Sequence, residues 1–132
     1  MQSLLFILVI LSLESADMFY SVLENDIFPQ PIRVRLTNEH WKQLYPNVML
    51  PAWSLSKLME LLPPELCINK HYFLEISKMG DVSTPYEVRY YRFKEEWEGA
   101  GFGRVTHILY SSNNLIDACV EMIIKLEERN LL

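Results

Sequence analysis

The stretch "RVTHILYSSNNLIDACVEMIIKLEERN", Arg104 to Asn130, decides the fold, because its hydrophobic period changes in the middle. Up to Tyr110, Val105, His107 and Leu109 alternate with Arg104, Thr106 and Ile108, the two-residue period of a strand with unlike faces. After Asn113 the period becomes helical. Asn114 is placed to cap, and Asp117 at the third helical position makes a variant of the capping box with a carboxylate at the positive end of the helix dipole. Leu115, Ala118, Cys119, Met122 and Leu126 then form one stripe, which Ile116, Val120, Ile123 and Ile124 widen beyond half the circumference. Glu121 and Lys125 stand four apart on the remainder. So apolar a helix must cover a surface, and the strands before it supply one.

Upstream, Cys67 to Ser77, Tyr86 to Phe93 and Arg104 to Tyr110 read as three strands, with the turn segments "KMGDVSTP" and "EEWEGAGFG" between them. Their short connections predict an antiparallel meander with one face wetter than the other. A helix precedes it. Ser54 can cap this helix, Leu55, Leu58, Met59 and Leu62 fall on one stripe, Pro63 and Pro64 stop it, and Ala52 and Trp53 staple its start. From Phe19 to Pro51, four prolines at 29, 31, 46 and 51 break the chain into short pieces. These include "IRVRL" at Ile32 to Leu36, and the region reads as an ordered arm with at most one short edge strand and a helical turn from Asn38 to Leu44 that puts Trp41 and Tyr45 on one side.

The expected fold class is therefore α+β: a three-stranded antiparallel meander packed against a long C-terminal helix, with a shorter helix before the sheet. One domain over residues 1–132 is expected, in five segments: an apolar start (1–17), the arm (18–51), the first helix (52–64), the sheet (67–110) and the last helix (114–129). Its core should include Trp53, Leu55, Leu58, Met59 and Leu62, and Leu115, Cys119, Met122, Ile123 and Leu126. A chain of 132 residues can bury roughly two thirds of its unfolded surface. With 50% hydrophobic and 22% charged residues, it is neither a disordered tail nor a collagen-like fibre.

The apolar run "LLFILVILSL", Leu4 to Leu13, is too short to span a bilayer as a helix, so no membrane span is expected. Its length suits a signal-peptide core, which would make a secreted protein. Against that, residues 1–3 lack Lys and Arg, and a cut after Ala16 would put Glu14 three places back. A start at Met18 is a further alternative.

Chemistry is sparse. Four glycines form no phosphate-binding loop, and no nucleophile elbow occurs. Cys119 falls in mid-helix on the apolar stripe, and Glu95, Glu96 and Glu98 read as a solvated charge run. Placed on one strand, Cys67 and His71 would lie about 13 Å apart, with His107 a full strand away, which argues against a metal site. Both cysteines read as buried reduced thiols. No catalytic residue, metal or cofactor is expected. The stretch "YEVRYYRF" is the best candidate for stacking single-stranded nucleic acid, but its aromatic and arginine residues divide between two faces and the net charge is −5, which disfavours phosphate binding.

Two segments, "LPAWSLSKLMELLP" at Leu50 to Pro63 and "NNLIDACVEMIIKLEERN" at Asn113 to Asn130, resemble the signature segments of a family of small uncharacterised proteins of gut Bacteroidales genomes and their phages or prophages. In that family a helix of the type "WSLSALLELMP" is followed by a few strands and a closing helix of the type "NLVDAxxEMxxWL". Upstream, "ESADMFYS" is similar to the family's "TADM" segment, and Gln2 and Ser3 stand where it has a "QS" pair. This chain departs from the pattern in the apolar run and at Lys125, where an aromatic often stands. The resemblance implies a cytoplasmic protein with Leu4 to Leu13 inside the fold, and attaches no activity or cofactor. A non-enzymatic accessory protein of a phage or mobile element, binding another protein or itself, is the resulting expectation.

Overall fold

Prolines did not keep the first half of the chain from forming a sheet. The computed structural model describes residues 13–80, 82–99 and 103–132, so the apolar run up to residue 12 lies outside the described residues. The chain divides into two units, one ending at Met59 and one beginning at Glu60.

In the first unit, β1 (Met18–Ser21), β2 (Gln30–Pro31) and β3 (Met49–Ala52) form an antiparallel sheet in the order β2-β1-β3. This corrects the expectation of an irregular arm with at most one short edge strand: three strands pair here, and the edge strand is Gln30–Pro31. Pro31 is tolerated there because an edge position does not need its missing N–H. Local periodicity misses such pairings, since Met18 finds Ala52 and Ser21 finds Met49 across some thirty residues of chain. Between β2 and β3, α1 (Asn38–Leu44) occupies the expected turn, opened by a reciprocal Thr37 and His40 capping box. Its Trp41 is completely buried.

Asp17 ties the unit together. Its carboxylate accepts from the Ser54 amide at 2.8 Å and also from the Ser54 hydroxyl. The Trp53 indole N–H donates to Ser15 Oγ at 2.9 Å. Ser54 Oγ in turn accepts from the Lys57 amide at 3.2 Å, so it caps α2 (Leu55–Leu61) as its place in the sequence suggests. The helix is shorter than residues 52–64, because Ala52 belongs to β3. Met59 is 46% exposed and is not a core residue, whereas Trp53, Leu58 and Leu62 are buried.

In the second unit, β4 (Glu65–Ile68), β5 (Lys70–Lys78), β6 (Tyr86–Phe93) and β7 (Arg104–Ser112) form an antiparallel meander in chain order. The sheet has four strands because the stretch expected as one, 67–77, reverses at Asn69 (φ 63°). Asparagine adopts this left-handed conformation more readily than most side chains, and no glycine or proline marks the turn. The reversal pairs Leu66 with Tyr72 and Cys67 with His71.

A second irregularity falls between β6 and β7. Tyr90 pairs with Ile108 but Tyr91 with Thr106, leaving His107 as the extra residue of a bulge. The expected alternation of Val105, His107 and Leu109 is thereby broken: Val105 and Ile108 share a face, and Leu109 turns to the other.

The last helix, α3 (Leu115–Glu128), packs on β6 and β7. Asn114 caps it, accepting from the Ile116 amide at 2.8 Å and the Asp117 amide at 3.4 Å. Ala118, Cys119, Val120, Met122, Ile123, Ile124 and Leu126 are buried, as are Leu66, Tyr72, Val88, Tyr90 and Ile108 on the sheet face beneath. Ile116, expected to widen the stripe, is exposed in the first turn. The Tyr90 hydroxyl donates to the Pro63 carbonyl at 2.6 Å, satisfying the one polar atom of a fully buried ring. Burial of this core sets the cost of truncating it. Met122→Ala should lower unfolding free energy by about 2–5 kcal/mol in urea titrations, while Met59→Ala should change it by about 0.5 kcal/mol or less.

Candidate functional site: the uncovered sheet face

Alternation along β4 to β7 places one set of side chains under α3 and the other on the opposite face. Phe73 on β5, Phe93 on β6 and Leu109 on β7 belong to the second set and are 41%, 63% and 44% exposed. Tyr91 joins them. Its ring lies 6.4 Å from Phe73 and 5.6 Å, edge-on, from Phe93. The Arg104 guanidinium stands 4.6 Å from the Tyr91 ring centre, a cation–π contact.

The charges on this face are paired. Glu75 is bonded to Arg104 and lies 3.5 Å from Arg89 Nε, and Arg89 is also bonded to Glu87. The Glu75 hydrogen bond holds the Arg104 proton more tightly than usual. Arginines engaged in this way have little capacity left for phosphate, so the face is aromatic with its guanidiniums held by carboxylates. Of the "YEVRYYRF" stretch, Arg89, Tyr91 and Phe93 stand on this face as the alternation predicts, and Val88 and Tyr90 are buried beneath α3.

A second cluster gathers where β6 connects to β7. Arg92 makes two parallel bonds to Glu98, at 2.6 and 2.8 Å, across a short 3-10 turn (Glu96–Glu98). Lys70 lies 3.1 Å from Glu95, 3.6 Å from Glu98 and 4.6 Å from the centre of the Trp97 ring. Trp97 is 73% exposed, and its indole N–H donates to Glu95 at 2.6 Å. The Arg92 bond pushes the Glu98 carboxyl down to about 2, and the Trp97 bond, with Lys70, lowers that of Glu95. Glu98 is thus tied to Arg92 and largely withdrawn from solvent, whereas Glu95, though paired with Lys70, stays solvated as its charge run suggests.

Cys67 and His71 correct the strand-based estimate of their separation. They are directly opposed across the β4–β5 hairpin, with Glu65 bonded to His71 Nδ1. Both cysteines are free, but only Cys119 is buried; Cys67 is exposed because it lies on the uncovered face. Burial pushes the Cys119 thiol up to about 11, which keeps it protonated at neutral pH. His107 packs its ring 4.9 Å from that of Tyr72. Among the described residues no group of three or more His, Cys, Asp or Glu side chains could hold a metal ion, and no helix is long and apolar enough to cross a membrane.

Sequence patterning did not single out Phe73, Phe93 and Leu109 as a surface. The signal was present in the alternation of β5 and β6, which set Phe73 and Phe93 opposite the residues facing α3, but the bulge at His107 hid Leu109. Also unnoticed were Leu23, Ile27 and Phe28, exposed in the connection from β1 to β2. Comparison with family models, curated proteins and solved structures returned no match to this chain.

The depressed Glu98 carboxyl fixes a pH dependence. Its folded value lies below the ordinary 4.5, so the Arg92 pair stabilises the fold above that pH and the contribution is lost as pH falls through about 2. Thermal melts should show Glu98→Gln less stable than the parent at about pH 7, with the difference shrinking below about pH 4.5 and closing near pH 2.

Proposed function

We propose that this chain is a non-enzymatic accessory protein of a phage or mobile element, acting in the cytoplasm by protein–protein contact through the uncovered face of its four-stranded sheet. The observation that carries the reading is the exposure of Phe73, Phe93 and Leu109 on a face whose other side is sealed by α3. Large apolar groups clustered on one rigid surface are the usual anchors of a protein interface. Its origin in a phage or mobile element rests on the resemblance of Leu50 to Pro63 and Asn113 to Asn130 to the Bacteroidales family.

A second copy of this chain is the partner proposed, because it offers the same apolar surface and the internally paired charges of the face do not repel it. The face carries Glu75 and Glu87 beside Arg89 and Arg104, and a two-fold interface requires a patch complementary to itself. Single-stranded nucleic acid would find stacking rings here, but the guanidiniums it needs are engaged by carboxylates.

Sedimentation velocity of the full chain over a range of concentrations tests the reading. The parent should form dimers, and Phe93→Asp should weaken dimerisation by about tenfold or more while leaving the melting temperature nearly unchanged. A parent that stays monomeric at its solubility limit, or a salt-dependent gel shift with single-stranded RNA that Phe93→Asp abolishes, would overturn it.

A further inference from the structure

The β4–β5 hairpin assembles three side chains with complementary chemistry: a thiol, an imidazole and a carboxylate. Cys67 is paired with His71, and Glu65 with Phe73, so all of them stand on the same face of the sheet. Directly opposed residues of an antiparallel pair have Cβ atoms about 4.5–5.5 Å apart, so the imidazole and the thiol are cross-strand neighbours. Glu65 holds Nδ1 of that imidazole by a hydrogen bond. A carboxylate at Nδ1 selects the tautomer with its proton there, leaving Nε2 as the nitrogen able to accept one. The thiol itself is exposed, unlike that of Cys119.

We propose that Cys67 is a site of thiol–disulfide exchange with low-molecular-weight disulfides, with His71 as its general base and Glu65 as the residue positioning the imidazole. His71 Nε2 takes the proton from Cys67 Sγ, and the thiolate attacks one sulfur of the small disulfide. The S–S bond of the small disulfide breaks as the new one forms. The departing thiolate recovers the proton from Nε2. One protein thiol and one small disulfide become one mixed disulfide and one small thiol, with the disulfide as the oxidant. This inference does not rest on the proposed function, but Cys67 shares its face with Phe73, so the exchange is read on the dilute chain, where that face is not occupied by a second copy.

Oxidised glutathione is the probe, with mixed-disulfide formation on the native full chain followed by intact mass. A single adduct should form in the parent and none in Cys67→Ser, because buried Cys119 does not react. His71→Ala should slow the reaction by about tenfold or more, and added imidazole should restore much of the rate in that variant without accelerating the parent. His71→Gln, which keeps a polar side chain on the strand, should be slowed alike. Glu65→Gln, which retains an acceptor for the Nδ1 proton, should keep more of the rate than Glu65→Ala. Adduct formation in His71→Ala and His71→Gln at the parental rate, or no recovery with imidazole, would overturn the proposal.

Discussion

The packing of α3 on one face of the β4–β7 sheet is the constraint on which the rest of the second unit depends. Met122, Ile123 and Leu126 of that helix and Val88 and Tyr90 of the sheet are essentially inaccessible to water. Once they are buried, the two-residue period of each strand leaves the alternate side chains no choice of side. A slip of one residue would bring Arg89 and Tyr91 under the helix and put Val88 and Tyr90 into water. The uncovered face and its aromatic cluster are therefore consequences of the register that burial imposes.

Where the chain departs from simple alternation, it changes what meets what. The reversal at Asn69 turns a single long strand into a hairpin and makes neighbours of Cys67 and His71. The bulge at His107 returns Ile108 to the core and moves Leu109 outward, adding an apolar group to the surface that carries Phe73 and Phe93. Arg92, on the α3 side of β6, reaches the end of the sheet to hold Glu98, so that even the acidic connection between β6 and β7 is fixed by residues of the meander.

How much of this was legible in the sequence follows from the range of the forces concerned. The α+β class, the α3 stripe with its Asn114 cap, the strand at Tyr86–Phe93 and the existence of a strand from Arg104 to Tyr110 are written in local periods, though that strand runs on to Ser112. The first-unit sheet is not, because its strands are two to four residues long and depend on pairings between distant segments. Asn69 carries no turn signal beyond its own tolerance of positive φ, so the fourth strand was hidden in an apparently continuous one. Met59 sits on the helical stripe by spacing yet faces solvent, since a seven-residue helix buries only part of a stripe. For the candidate site, Arg89 and Tyr91 were assigned one face by alternation alone, whereas their pairing with Glu75 and Arg104 required the register of three strands.

Hydroxyl-radical footprinting of the dilute chain, read by mass spectrometry, tests most directly the claim that one sheet face is sealed and the other bare. Phe73 and Phe93 should be oxidised readily while Tyr72, Tyr90 and Met122 remain protected until the chain unfolds. Comparable labelling of Phe93 and Tyr90 in the native chain would contradict the account, because the two faces would then be equally open to water.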